Sequence, residues 1–321
     1  VLAEPVDAEE LGLLRYGVVL SHLEPVRPVV SHVIADEGQH GEWIAADGLL
    51  TDGGCGGLGT HGRGHEDAVV PVEGLVDQRE GLRQSPAKQE GAEGHARGIY
   101  PDPNAKPELL VALTRFEALC GFRPPGRVID DLAGSPLAFV VQDVGTAGAF
   151  ESLYLGELDP YEIVAPFERS TEPLAPLINR LVGRGEAVSA AATLLLNHVV
   201  LAPGEALRLE SGNLHSYLHG AGIELMSPSD NVVRGGLTAK PVDVELLLEI
   251  VDSTPLDRPV LDVSERYELP GAGVALVRLE PGEEHVAVGH ELAVDLSGAA
   301  WYYAPGERVV TDITAYVVTP L

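Results

Sequence analysis

The sequence predicts a mainly β fold, a jelly roll or sandwich, interrupted by a block of helices. Three observations carry this. Residues 258–321 read as short strands between Gly/Pro turns, VLDVSERYELP, GVALVRLEPGEE, HVAVGHELAVDL, AAWYYAPGERVV and ITAYVVTP, at a spacing of about ten residues. From Thr193 the chain is also strand-like, with a continuous apolar run Leu194–Leu201 around Asn197 and His198. Residues 127–190 instead carry a helical period between starts marked by Asp159-Pro160 and Thr171-Glu172-Pro173.

The elements follow in order. Residues 1–81 show no sustained period and stay unassigned; the stretch from 35 to 70 is dense in Gly and His. Its His61-Gly-Arg-Gly-His65 pair resembles a metal spacing. Residues at i and i+4 meet only on a helix, however, and the intervening glycines oppose one. In NAKPELLVALTRFEALCG, Pro107 stands near a start, Leu109, Val111 and Leu113 alternate, and Phe116–Cys120 reads as a helical turn. Helices are expected at Ala147–Leu155, Pro160–Glu168, Leu174–Gly185 and Val242–Val251. Between them, Ala202-Pro203-Gly204-Glu205 is a turn leading to a strand at Ala206–Glu210, and Glu280-Pro281-Gly282-Glu283 repeats that turn.

Composition narrows the function. The 321 residues carry 49 acids against 21 bases, a formal charge of −28. That field opposes nucleic acid and anionic membrane, which bind clustered Lys and Arg. An anionic substrate then needs a local basic pocket. The lysines are Lys88, Lys106 and Lys240. Cys55 and Cys120 form neither a metal spacing nor a disulfide framework. No apolar run approaches the roughly 20 residues of a membrane span, and VLAEPVDAEELG lacks a signal-peptide pattern. A cytoplasmic protein is the expectation.

The chemistry concentrates in SGNLHSYLHGAGIELMSPSDNVVRGGLTAK, Ser211–Lys240. Strand alternation puts His215 and Tyr217 on one face, with Leu214 and Ser216 on the other. His219, before Gly220, reads as a turn residue. Asp230-Asn231 is a turn ahead of Arg234, and Gly235-Gly236 admits a close ligand. Upstream, Lys106 and Glu108 point to the same side of an extended segment. On residues alone they read as an exposed ion pair, and His215 as a hydrogen-bonded histidine.

Taken together, NAKPELLVALTRFEALCGFRP and LLLNHVVLAPGEALRLESGNLHSYLHGAGIELMSPSDNVVRGGLTAKPVDVELLLEIVD strongly resemble the type I phosphomannose isomerases, a zinc-dependent family of the cupin superfamily. The resemblance covers Asn104–Pro124 and Thr193–Asp252, is weak elsewhere, and is absent before about residue 82. It implies two cupin-type (jelly-roll) β-barrels plus a helical domain. Residues 82–126 and 193–240 would form the catalytic cupin domain, 127–192 the helical insertion, and 241–321 a C-terminal cupin-like domain. It implies interconversion of mannose 6-phosphate and fructose 6-phosphate through an enediol, on one Zn2+ per chain. A monomer with no nucleic-acid or membrane partner is the expectation beside it.

It also implies residue roles. Glu108 and His215 match metal ligands and Arg234 the catalytic Arg. Lys106 and Lys240 match basic pocket positions, Glu224 matches a neighbouring acid, and Asn231 is placed at the substrate. Glu224 and Lys106 both stand as candidates for the proton-transfer group. The sequence departs from the pattern where the family places Gln-x-His-Pro: Arg83 and Ser85 stand at the Gln and His positions, with Gln84 between them, and Ala105 replaces another His. Two further readings remain: a non-catalytic or damaged relative that binds sugar phosphate, and an iron or manganese cupin enzyme using His198 or His219 beside His215.

Overall fold

The computed structural model describes residues 29–36, 43–45, 92, 94–227, 229, 231–237, 242–296 and 299–321. Cys55, Lys88, Lys240, the Arg83-Gln84-Ser85 string and the His61/His65 pair lie outside the described residues.

The first sheet contains β3 (Glu108–Ala112), β4 (Phe116–Phe122), β5 (Leu196–Leu201), β6 (Ala206–Leu209), β7 (Leu214–Met226) and β9 (Val260–Leu261). They run in the order β5-β4-β7-β3-β6-β9. Three strands join off this path: β1 (Val29–Asp36) and β2 (Trp43–Ala45) pair with β7, and β8 (Val233–Gly236) pairs with β2. Although residue 241 was the expected domain boundary, β9 belongs with this first sheet.

Strand β7 organises it. Its first half pairs with β4 on one edge and β2 on the other. Its second half pairs with β3 and β1. A strand has two hydrogen-bonding edges, so four partners require each pair to share its length. The changeover falls at Gly220, whose φ of 121° lies where side chains are not tolerated. A Cβ there would meet the Arg115 carbonyl oxygen at 2.6 Å and the Phe116 Cα at 2.8 Å.

Residues paired directly across antiparallel strands share a face, so the ladders sort the sheet into inside and outside. Leu110, Ala112, Phe116, Ala118, Cys120, Leu201, Leu207 and Leu209 form one apolar cluster inside the curved sheet. Their neighbours Leu109, Val111, Ile223 and Leu225 face outward. They meet Tyr267, Val274, Leu292 and Val318 of a second sheet. That sheet runs β10 (Arg266–Leu269), β11 (Val274–Leu279), β16 (Ala315–Pro320), β13 (Glu291–Asp295) and β14 (Ala300–Tyr303), with a ribbon of β12 (Glu284–Val286) and β15 (Arg308–Val310) beside it. The third face, with Leu119, Phe122, Leu214 and Val233, packs on Phe150, Leu153 and Ile178 of the helices.

The helices begin where capping chemistry places them. α1 (Pro125–Asp131) and α2 (Pro136–Tyr154) open on prolines, whose missing N–H is unneeded in a first turn. The Ser135 side chain accepts from the Ala138 amide, and Asp159 accepts from Tyr161 ahead of α3 (Pro160–Val164). Gly145, at φ 74°, breaks the regular path of α2. α4 (Ala175–Gly183), α5 (Ala187–Thr193) and α6 (Val244–Ile250) follow. Both expected Pro-Gly-Glu turns form, and a third stands at Ala304–Glu307. In each, the Glu carboxylate accepts the amide three residues back, at 2.7 Å, 2.8 Å and 2.7 Å.

Several expectations change. Phe116–Cys120 is strand β4, not a helical turn; its buried residues pair with β5 and β7, and tertiary pairing outweighs local preference. His219 is not in a turn but within β7, opposite Glu117. Gly235 does not make room for a ligand: a Cβ there would meet the Leu214 side chain at 2.7 Å. α1 and α5 were not anticipated, because one is a short Pro-led turn and the other a run of Ala, Ser and Val without polar contrast.

Two consequences are measurable. Gly220→Ala combines a strained φ with a backbone clash, so it should lower unfolding free energy by about 2 kcal/mol or more. An unchanged denaturant midpoint refutes the role of the bend. Burial pushes the Cys120 thiol up to about 12, so iodoacetamide at pH 8 should modify Cys120 in the unfolded chain and spare it in the folded one. Peptide mass spectrometry reads the difference.

Candidate active site

The polar residues inside the first sheet come from positions that alternation would otherwise fill with Leu or Val. Glu108 opens β3 and shares the inward face with Leu110 and Ala112. His215, opposite Cys120, and Tyr217, opposite Ala118, face inward from the first half of β7. Glu224, opposite Leu110, does so from the second half. The bend at Gly220 turns the two halves of β7 toward each other. Residues seven apart on one strand therefore meet: the Tyr217 hydroxyl donates to Glu224 Oε1 at 2.9 Å.

A row of buried charge crosses this interior. Lys106 Nζ lies 3.6 Å from Glu108 Oε1, and Glu108 Oε2 lies 3.3 Å from His215 Nε2. Lys106 is 1% exposed, Glu108 2% and His215 1%, so the ion pair expected at the surface is enclosed. His215 Nδ1 donates to the Asn213 carbonyl oxygen at 2.9 Å, which fixes the ring. The ring also tilts against Tyr217, centroids 5.5 Å apart, and Tyr217 stands edge-on to Phe116.

The electrostatics follow from this enclosure. Burial opposes charge on Glu108, but the hydrogen bond and charge of His215, with Lys106 beside it, hold its carboxyl below the ordinary value. Burial likewise opposes the His215 imidazolium, and Glu108 outweighs it, raising the ring above its usual value. Burial first, then the charge of Glu224, push the Tyr217 phenol well up, so it remains a donor.

Arg234 reaches the same face through backbone register. Ile44 of β2 pairs with His215 on one side and with Arg234 on the other. The three positions form a line across adjacent strands, spaced by about 4.8 Å each. Among the described residues no carboxylate forms an ion pair with Arg234.

Asn231, expected at the substrate, has its amide committed to the protein. Its Oδ1 accepts from the Asp102 amide at 3.2 Å and its Nδ2 donates to the Asn104 carbonyl oxygen at 2.9 Å. His198 bonds Glu117 at 2.7 Å on the outer face, and His219 is exposed. Neither stands with His215, so the iron or manganese arrangement does not form from them. Sequence reasoning missed Tyr217 as part of the site. Its alternation with His215 was visible, but its partner Glu224 was not, because the strand bend is a tertiary feature.

The residues present suit a metal in part. A carboxylate and an imidazole converge, and the second imidazole nitrogen is anchored by a carbonyl, as in metal-binding histidines. Among the described residues no group of three or more His, Cys, Asp or Glu is close enough to hold an ion. Glu108 and His215 are thus two groups of the kinds that zinc takes as ligands. A separate cavity of about 340 Å3 lies among the helices, lined by Asp131, Ser135, Phe167 and Glu172. It lacks a basic side chain and sits apart from this cluster. No helix of the described residues is long and apolar enough to cross a membrane.

Parts of the chain are similar to known proteins. Residues 76–125 match the family model described as phosphomannose isomerase type I, catalytic domain. The match begins ahead of residue 82, where the resemblance was expected to start. Mannose-6-phosphate isomerase of Emericella nidulans is 30% identical over 239 residues, 57% of this chain and 52% of that protein. Mannose-6-phosphate isomerase of Candida glabrata is 30% identical over 255 residues, 66% of this chain and 58% of that protein. The chain thus spans about half the length of these relatives. Among solved structures, a zinc-bound mannose 6-phosphate isomerase superposes with a TM-score of 0.56 at 23% identity, covering 73% of this chain and 74% of that one. A phosphomannose isomerase from Salmonella typhimurium gives 0.54 at 23% identity, covering 73% and 72%. These structures share the fold, a cupin-type β architecture with helices. The chain is therefore related to the type I phosphomannose isomerases.

Proposed function

We propose that the chain is an aldose–ketose isomerase interconverting mannose 6-phosphate and fructose 6-phosphate, acting as a monomer in the cytoplasm on a small sugar phosphate. The buried row Lys106–Glu108–His215 carries the reading. Enclosing three charged side chains in a β interior costs desolvation energy that apolar residues would not, and such groups cluster at functional sites. The named relatives support the substrate, and the charge of −28 disfavours nucleic acid and membrane partners.

Glu108 and His215 would hold one Zn2+ per chain, together with donors outside the described residues. When bound, the ion supplies Lewis acidity that polarises sugar oxygens. The chain's own groups do the rest. A proton leaves C2 of the aldose and is delivered to C1, while the hydroxyl proton moves from O2 to O1. Glu224, held at one oxygen by Tyr217, or Lys106 carries the carbon-bound proton. Arg234 stabilises the enediolate charge between these steps. Lys240 is assigned to the substrate phosphate. The apolar walls of Leu110, Phe116 and Leu207 keep water from the intermediate.

The catalytic unit is read as residues 82–126 and 193–240, with 127–192 inserted and 241–321 following. A second reading, a non-catalytic relative that binds sugar phosphate, draws on Arg83 and Ser85 at the family's Gln and His positions.

A coupled assay for fructose 6-phosphate, with and without chelator and added zinc, separates them. Activity that zinc restores supports the isomerase; sugar phosphate binding with no turnover at any zinc level overturns it. His215→Ala should remove bound zinc, read by elemental analysis, and turnover with it. Arg234→Ala should keep the zinc and lower kcat by about 100-fold or more. Full turnover by the Arg234 variant excludes its role.

A further inference from the structure

Lys106 is buried at the end of a loop, not within a strand, so something must hold that loop. Residues 101–107 lead into β3, and residues 227–232 connect β7 to β8, which carries Arg234. The two loops are joined side chain to backbone. Asn231 Oδ1 accepts from the Asp102 amide at 3.2 Å, and Asn231 Nδ2 donates to the Asn104 carbonyl oxygen at 2.9 Å. Ser229 Oγ donates to the Asp102 carboxylate, at 3.1 Å and 3.2 Å from its two oxygens. It also receives the Asn231 amide at 3.3 Å. The Asp102 carboxylate accepts the Asn104 amide at 2.8 Å. The Ser227 amide reaches the Pro107 carbonyl oxygen at 3.4 Å.

Two features make this more than loop packing. Asn231 is 1% exposed, so its amide bonds form away from competing water and are costly to lose. The bonds also bracket Lys106 on both sides in sequence, at Asn104 and Pro107. A Lys side chain has four rotatable carbons and is poorly fixed by its own ion pair. Its backbone must therefore be fixed first.

We propose that Asn231 is a positioning residue rather than a substrate contact, and that with Asp102 and Ser229 it forms a polar clasp. The clasp sets the backbone of Lys106 relative to Glu108 and ties it to the strand that delivers Arg234. This rests on the isomerase reading for its kinetic consequence but not for its structure. The clasp spans Lys106 and the approach to Arg234, so loosening it misplaces both against bound sugar. Glu108 and His215 stay in their ladders, and the metal donors do not move.

The experiment uses the full chain loaded with zinc. Turnover of mannose 6-phosphate by the unsubstituted protein is measured first. Given turnover, Asn231→Ala should lower kcat about 10- to 100-fold, the scale of an ångström-level misplacement, with KM within about twofold and zinc content unchanged. Asp102→Ala should behave likewise. Asp102→Asn, which keeps an acceptor for the Asn104 amide, should recover most of kcat. A raised KM with kcat intact in Asn231→Ala makes Asn231 a substrate contact and overturns the proposal. So does failure of Asp102→Asn to outperform Asp102→Ala. If the unsubstituted chain shows no turnover, the isomerase reading fails and amide exchange decides the clasp alone. Asn231→Ala should then accelerate exchange at Asp102 and Asn104 while β3 stays protected; unchanged exchange at those amides overturns it.

Discussion

One strand carries the site. β7 pairs with four others because it bends at Gly220 and lends each half to a different pair of neighbours. The bend turns a period-2 strand into two inward-facing walls. Without it, His215 and Glu224, nine residues apart, would point to opposite faces of a regular strand, about 30 Å from one another along it. With it, Tyr217 reaches Glu224, and His215 reaches Glu108 from a neighbouring strand. The same geometry separates the outer surfaces: one meets the second sheet through Leu109 and Ile223, the other meets the helices through Leu119 and Leu214.

The buried charges mark where folding yields to chemistry. Desolvating a carboxylate, an ammonium and an imidazole costs several kcal/mol per ion, and mutual attraction offsets this only with good geometry. Lys106, Glu108 and His215 alternate in sign along a row, which is the arrangement that offsets it best. A contrasting case sits in the second sheet. Glu291 is fully buried, yet its oxygens meet His285, the Thr319 hydroxyl and the Val288 amide. Every bond there closes on the protein, which suits a structural pin. In the first sheet the row lies in the interior that Glu224 also faces and that adjoins the strand of Arg234.

Much of this was legible from local chemistry. Prolines and Asp159 announced helix starts, Pro-Gly-Glu strings announced tight turns between strands, and alternation in Leu109, Val111 and Leu113 announced β3. The collinear strings around Lys106-Pro107-Glu108 and His215–Arg234 pointed to the chemistry before any geometry. The misses share one cause. Phe116–Cys120 is locally ambiguous and is a strand because β5 and β7 flank it. His219 precedes a glycine that looks like a turn signal, and the glycine serves a bend inside a strand instead. Gly235 looks like room for a ligand and is room for Leu214. In each, the deciding neighbour is far away in sequence.

The sequence by itself determined most of the element types, the excess of acid, and which side chains are chemically able to bind metal or stabilise an enediolate. Those are properties of residues and short spacings, which local sterics and periodicity dictate. Tertiary structure alone decided which of those side chains share an interior. It enclosed an ion pair that spacing places at a surface, gave Asn231 partners 127 residues away, and set Arg234 in line with His215 through Ile44. Long-range register does this, and register depends on how whole faces bury against one another, which no short window of residues contains.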